Sequence, residues 1–180
     1  MERTVARVAL FAALIAALGL VPQIMLPFAG GVPITAQTLG VMLAGLVLGP
    51  WRGTLAVLLL IVVVALGAPV LAGGRGGLGV FVGPTVGFLL GWAVATLVIG
   101  WAYQVMASRG VFLAGLLASV LGGIVVLYVC GIVGLALVTQ MPLLQAAGVV
   151  LIFIPGDILK AVLAALLNRE IRRARPEFAD

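Results

Sequence analysis

The amino-acid sequence predicts an all-α integral membrane protein with six transmembrane helices. The 180-residue chain is 64% hydrophobic and only 8% charged, whereas about a quarter of the residues in a soluble domain are charged. Apolar runs separated by Gly, Pro or charged residues provide six candidate spans, and a spanning helix needs about 20 residues. The basic residues also fall in alternate connections between these runs, as an even number of crossings requires.

The six apolar runs divide the chain without leaving room for a second domain. The second and third are separated by LGPWRG at 48–53, whose glycines and proline break an otherwise over-long helix. No small-residue cleavage pattern follows MERTVARVALF, so we expect a retained first helix rather than a signal peptide. We expect one membrane domain over residues 1–180, with a basic tail from about residue 169. The runs cover residues 8–27, 33–49, 52–71, 79–106, 111–138 and 143–170.

The distribution of basic residues predicts the orientation. Arg75 lies in the connection between helices 3 and 4, and Lys160 lies within the sixth run. Cytoplasmic loops carry the excess of Lys and Arg in membrane proteins, so both termini are predicted to be cytoplasmic. Topology and membrane lipid therefore account for the net charge of +5, and we expect no nucleic-acid partner. The eight basic residues on the predicted cytoplasmic side are Arg3, Arg7, Arg52, Arg109, Arg169, Arg172, Arg173 and Arg175.

The composition lacks the residues that several enzyme mechanisms require. The chain has no His and a single Cys, Cys130, within an apolar run, so we expect no disulfide and no metal site. It contains no G-x-x-x-x-G-K-[ST] phosphate loop, so we expect no ATP hydrolysis by this chain and no cofactor. The spans contain a single acid, so an intramembrane enzyme that needs paired carboxylates or a metal would lack the required residues. These absences count against an enzyme. A purely structural subunit would have no use for the Gly-rich connection and the intramembrane charges described next, so a solute-binding transport subunit is favoured.

The predicted outer connection between helices 3 and 4, GAPVLAGGRGGLGVFVGPT, is rich in glycine. Glycines at 73, 74, 76, 77, 79 and 83 permit backbone conformations that other residues avoid. Such a segment is either a flexible tether or a lid over a binding site. Its apolar residues favour a lid that folds back onto an apolar surface; they are Val70, Leu71, Leu78, Val80 and Phe81.

Two charges lie within the sixth run, IFIPGDILKAVLAALL. Asp157 and Lys160 share one helix face if the helix begins near Pro155, and such charges cost roughly 2.5–3.5 kcal/mol each on insertion scales. They either neutralise each other or form the polar floor of an outward-facing pocket. The pattern alone names no ligand. The other polar residues expected at that pocket are Thr35, Gln37, Thr38 and Thr85.

Three motifs resemble the BioY proteins, the biotin-specific substrate-binding (S) components of energy-coupling-factor (ECF) transporters. They are VPITAQTLGVMLAGLVLGP at 32–50, GGRGGLGVFVGPTVGF at 73–88 and IPGDILKAVLAALL at 154–167. The resemblance implies a six-helix protein of the cell membrane that binds biotin with high affinity from the outer side. It also implies two partners, a transmembrane coupling (T) protein and a pair of ABC-type ATPases that hydrolyse ATP. The alternatives are an S component for another small vitamin and a stand-alone transporter of a small solute.

The resemblance also implies which residues contact the ligand. The Gly-rich loop, which includes Gly74, closes over the ligand, and Asp157 and Lys160 belong to the polar contacts. Arg75 departs from the small or polar residue that the family often has, and we expect it to be a candidate for the biotin carboxylate. Phe88 departs from a frequent Tyr and offers no hydroxyl. Lys160 either neutralises Asp157 or reaches a ligand oxygen.

The first helix carries a stripe of small residues. Ala9, Ala13 and Ala17 recur every four residues, with Ala12 and Ala16 beside them. This spacing allows close approach of another helix, either within the bundle or from a partner. Because S components dock to the coupling protein through a similar face, the resemblance implies that Ala9 and Ala13 form the docking site.

Overall fold

The computed structural model describes residues 2–25 and 31–174, and every regular element within these ranges is helical. A π-helical segment, Leu121–Val126, joins α4 and α5 into one 29-residue span. Short 3-10 helices occupy Leu78–Phe81 and Ala107–Arg109. The predicted all-α fold class is confirmed. The α-helices are α1 Glu2–Leu18, α2 Gln37–Ala65, α3 Val86–Val105, α4 Val111–Val120, α5 Leu127–Thr139, α6 Leu143–Leu151 and α7 Ile154–Ala174.

α2 is a hairpin of two helical halves. Gly49 has φ 79° and ψ −177°, outside the helical region, and Pro50 begins the second half. A Cβ on Gly53 would collide with the carbonyl oxygen of Ala44, although these residues would be about 13 Å apart in a continuous helix. The second half therefore folds back along the first. The predicted break at LGPWRG is confirmed.

The remaining spans follow the predicted runs with shifted ends. By length and composition α3 and the joined α4–α5 could each cross a membrane, and so could α6 with α7, which are bent by 55°. α2 is also long and apolar enough, but only when its two halves are counted as one 29-residue helix. The third and fourth runs were predicted too long, because α2 ends at Ala65 and α3 begins only at Val86; the connection between them starts beside Gly67, at φ 106°. The break in the last span comes at residues 152–153, just before PGD.

The helices are held together by apolar side chains and by close backbone contacts. A Cβ on Gly87 of α3 would collide with the Cys130 carbonyl and with Gly134 of α5, so glycine permits this helix pair to approach closely. The largest fully buried apolar side chains come from most of the spans. They include Ile15, Met42, Leu46, Leu60, Ile99, Leu127, Leu135 and Val150.

Helix directions separate the charges into two ends of the bundle. The basic end comprises the start of α1, the α2 break, the α3–α4 connection and the end of α7. The pocket end comprises the starts of α2, α3 and α7 and the connection over residues 66–85. The predicted cytoplasmic arginines that the structure describes lie at the basic end, and Arg175 falls outside the described residues. Arg75 and Lys160 lie at the pocket end.

Candidate functional site

A cavity opens at the pocket end between α2, α3, α5, α7 and the Gly-rich connection. Its empty space, counted out to the open mouth, is about 630 Å³. Apolar and aromatic side chains make up about half of the lining: Val32, Pro33, Ile34, Leu71, Phe88, Leu89, Trp92, Leu127 and Phe153. The polar lining residues are Thr35, Gln37, Thr38, Arg75, Thr85, Tyr128, Asp157 and Lys160.

The predicted charged pair is formed and borders this cavity. Lys160 Nζ lies 2.7 Å from Asp157 Oδ1, and Tyr128 Oη donates to Asp157 Oδ2 at 2.7 Å. Only 5% of Asp157 is exposed. An ionised carboxylate has about four acceptor sites, so two remain after these bonds. Lys160 likewise keeps two of its three N–H donors.

The start of α7 places this pair at the cavity. The helix begins at Ile154, so Pro155 stands in the first turn, where its missing N–H costs no hydrogen bond. The Asp157 N–H donates to the Phe153 carbonyl, and the acid lies near the positive end of the helix dipole. Lys160 follows one turn later on the same face.

Arg75, on the Gly-rich connection, is held at the cavity by two hydrogen bonds. Its Nε donates to the Ala72 carbonyl at 3.1 Å, and Nη1 donates to Thr85 Oγ1 at 3.1 Å. Three of its five N–H donors remain. Burial lowers the pKa of the Arg75 guanidinium from its ordinary value, but an arginine remains charged in proteins.

The Gly-rich connection folds back onto the bundle near its start. Leu71 and Arg75 form an antiparallel bridge, and the turn between them contains Gly73 and Gly74 at φ 77° and 69°. Gly74 thus shapes the turn that carries Arg75, but it is not among the described residues that line the cavity. Leu71 is buried with 4% exposed, whereas Leu78 is 73% exposed. The movement of this segment as a lid stays a prediction.

Gln37 borders the cavity, but its amide is committed to the backbone. Its Nε2 donates to the carbonyls of Ile15 and Val70, each at 3.1 Å, and its Oε1 accepts from the Ala72 N–H at 2.9 Å. These bonds join the end of α1, the start of α2 and the Gly-rich connection. We therefore assign Gln37 a scaffolding role beside the site and leave its predicted ligand contact as a prediction.

The structure brings two further polar residues to the cavity, Tyr128 and Trp92. Trp92 is 6% exposed, and among the described residues its Nε1 has no hydrogen-bond partner; Thr38 Oγ1 also lacks one. Phe88 packs against Gly131, where a Cβ would collide with its ring. Tyr128 brings a phenolic hydroxyl to the cavity. Tyr128 is the single tyrosine of the fifth apolar run, which was the available sequence signal. Its position in the sequence did not indicate which residue it contacts.

The alanines of α1 lie on two different faces of the helix. Ala9, Ala13 and Ala17 are exposed, whereas Ala12 is buried and Ala16 is half-buried. The residues predicted to dock therefore lie on the outer face of α1, and their neighbours Ala12 and Ala16 pack inside. The exposed stripe is free to approach another helix closely.

Comparisons with known proteins agree on one family. Residues 2–177 match the BioY family. A biotin transporter BioY from Rhodobacter capsulatus is 52% identical over 98% of this chain and 96% of its own length. Another from Rhizobium etli is 50% identical over 93% and 92%. A crystal structure of the S-component for biotin from an ECF-type ABC transporter has a TM-score of 0.87 and 32% identity, covering 96% of this chain and 92% of that one.

Proposed function

This chain belongs to the BioY family, and we propose that it binds biotin in the cavity at the pocket end and takes up biotin as the S component of an ECF-type ABC transporter. The charge of the site carries the proposal. Arg75 and Lys160 contribute two positive charges and Asp157 contributes one negative charge, which leaves +1 among the described lining residues. Biotin carries one carboxylate, which balances that charge.

The two ends of biotin match different parts of the cavity. Its ureido ring presents N–H donors and a carbonyl, which suit the free acceptor sites of Asp157 and the free donors of Lys160. Its carboxylate suits the guanidinium of Arg75, because a planar fork of N–H groups binds a carboxylate in bidentate fashion. The thiophane ring and alkyl chain are apolar and fit the aliphatic and aromatic lining.

The test is calorimetry on the purified protein without nucleotide. We expect heat on titration with biotin and none with thiamine or riboflavin. Binding of one of those vitamins instead would support the second candidate function, an S component for another vitamin. An absence of heat with biotin, from a folded and monodisperse sample, would contradict the proposal.

Biotin methyl ester tests the role of Arg75 separately. We propose that the ester, which lacks the anionic carboxylate, binds about tenfold or more weakly than biotin, since a hydrogen bond to a charged group contributes about 1.5–3 kcal/mol. In the Arg75→Gln variant biotin and the ester are expected to bind alike. A preference for biotin that persists in Arg75→Gln would assign the carboxylate to another residue.

We propose that the basic end faces the cytoplasm and the pocket end faces outward across the cell membrane. The excess of arginine at the basic end supports this orientation. The test places single cysteines at Leu78 and Ser108, both exposed, in a Cys130→Ser background. An impermeant thiol reagent added to whole cells is expected to label position 78 and not position 108. The reverse pattern would contradict the orientation.

We propose that the exposed alanine stripe docks to the transmembrane coupling protein, which in turn joins the ABC-type ATPases. Ala13→Leu is expected to reduce capture of the coupling protein while sparing biotin binding, since leucine holds two helices apart. Ala12→Leu is the contrasting variant, because Ala12 is 7% exposed and packs inside the bundle. If Ala13→Leu abolishes biotin binding as well, the stripe is needed for folding rather than docking.

A further inference from the structure

A second cavity lies at the basic end, about 22 Å along α7 from Asp157, the length of the fifteen residues to Arg172. Its volume, including the open mouth, is about 1280 Å³. The α2 break, the end of α3, the start of α4 and Arg172 form its walls. The lining residues are Leu46, Val47, Leu48, Gly49, Pro50, Trp51, Arg52, Gly100, Tyr103, Gln104, Ala107, Val111 and Arg172.

Two glycines build this cavity into the fold. Gly49 has φ 79°, a conformation that favours glycine, and it separates the helical halves of α2. A Cβ on Gly100 would collide with the backbone of Gly49 and Pro50. α3 therefore packs directly against the break, and the cavity is a fixed part of the hairpin rather than a gap between mobile loops.

Arg172 is oriented within this cavity. Its Nη2 donates to the Leu46 carbonyl and its Nε donates to Asn168 Oδ1, each at 3.3 Å. Its guanidinium carbon lies 4.9 Å from the centre of the Tyr103 ring, a cation–π arrangement. Three of its five N–H donors remain available.

The charge of the cavity is +2, from Arg52 and Arg172, and no acid is among the described residues that line it. The nearby acid Glu170 is paired with Arg169 at 3.0 Å and with Arg173 at 3.2 Å. Two guanidinium groups at one cavity favour an anion there, and Arg52 is exposed. The oxygens of a phosphate group match the guanidinium fork.

We propose that this cavity binds the phosphate group of an anionic phospholipid. A soluble phosphate ion shares this chemistry, but the surroundings favour lipid. Trp51, which lines the cavity, is 74% exposed, and Trp101, next to Gly100, is 60% exposed. Tryptophan is enriched at the level of lipid headgroups, and basic pockets between membrane helices on the cytoplasmic side bind such headgroups.

The experiment is native mass spectrometry of the full chain in detergent, titrated with phosphatidylglycerol or phosphatidylcholine. Wild type is expected to bind phosphatidylglycerol more tightly, and Arg52→Gln to lose about fivefold in that affinity. Arg109→Gln is the matched control, since Arg109 is exposed at the same end but does not line the cavity; a loss under about twofold is expected there. Unchanged biotin affinity in both variants will show that they are folded.

Four results would overturn the proposal. One is equal binding of the two lipids by wild type. Another is an equal effect of Arg52→Gln and Arg109→Gln on phosphatidylglycerol affinity. The third is complete displacement of the lipid by millimolar inorganic phosphate, which would assign the site to soluble phosphate. If Arg52→Gln reduces capture of the coupling protein without changing lipid affinity, the cavity is a protein-docking surface, and the proposal is also overturned.

Discussion

The two cavities of this bundle handle charge in opposite ways. At the pocket end, Asp157 is already bonded to Lys160 and Tyr128, and Arg75 is the one further charge among the described lining residues. At the basic end, Arg52 and Arg172 line a cavity to which the described residues contribute no acid. The difference indicates that the first cavity suits a largely apolar ligand with a single negative charge. The second suits a strong anion.

The separation of these cavities makes the comparison testable. They lie about 22 Å apart along α7, and substitutions more than about 10 Å apart usually act independently. Changes at the pocket end should therefore alter biotin binding without altering lipid binding.

Gln37→Leu is expected to have the largest effect, on stability. The substitution leaves the Ile15 and Val70 carbonyls and the Ala72 N–H without their buried partner. Unsatisfied buried groups cost about 1–3 kcal/mol each, so a loss of about 3 kcal/mol and a fall in Tm of about 6–12 °C are expected. Thr35→Val, at the same cavity, should change Tm little. Thermal unfolding in detergent is the measurement. An unchanged Tm in Gln37→Leu would contradict the scaffolding role of Gln37.

Asp157→Asn is expected to have the next largest effect, on biotin affinity. It removes the charged acceptor and leaves Lys160 without its ion-pair partner. A charged hydrogen bond contributes about 1.5–3 kcal/mol, so affinity should fall about ten- to a hundredfold.

Glu170→Gln is the control for that variant, since it removes an acid from the exposed opposite end of the same helix. Its biotin affinity, measured by calorimetry beside that of Asp157→Asn, should equal wild type. Similar losses in the two variants would point to a general effect of charge rather than to a ligand contact.

The two tyrosines give the smallest and most discriminating comparison. Tyr128→Phe removes the hydroxyl bonded to Asp157, while Lys160 still pairs with the acid. A hydrogen bond contributes about 1 kcal/mol net, so biotin affinity should fall about fivefold. Tyr103→Phe changes the other tyrosine, at the basic end, and should leave biotin affinity unchanged. If titrations show the two variants to be equivalent, Tyr128 does not act on the site through Asp157.

Patterns within one helix were predictable from the sequence, whereas contacts between helices were not. The apolar runs and Gly/Pro breaks predicted the α2 hairpin and the start of α7, because local residues decide where a helix ends. The spacing of Asp157 and Lys160 likewise predicted that they share one helix face. Tyr128 reaches Asp157 from 29 residues away, and that pairing depends on how α5 and α7 pack. The periodicity of the sequence does not show how these two helices are aligned.

The same limit explains Gln37 and the first helix. Gln37 was predicted as a ligand contact because it is polar at the expected pocket, but its partners in α1 and the Gly-rich connection depend on tertiary packing. The spacing of alanines on α1 showed two adjacent small-residue faces without indicating which one packs inside. Burial of Ala12 and exposure of Ala9 answer that question.

The central claim is that Asp157 and Lys160 hold biotin and do not merely cancel each other within the membrane. The most direct measurement is calorimetry with biotin on the double variant Asp157→Leu/Lys160→Leu. Removing both buried charges together avoids the penalty of leaving one unpaired, so the variant is expected to fold. We predict a folded, monodisperse protein that no longer binds biotin measurably. A folded double variant that binds biotin as tightly as wild type would contradict the claim.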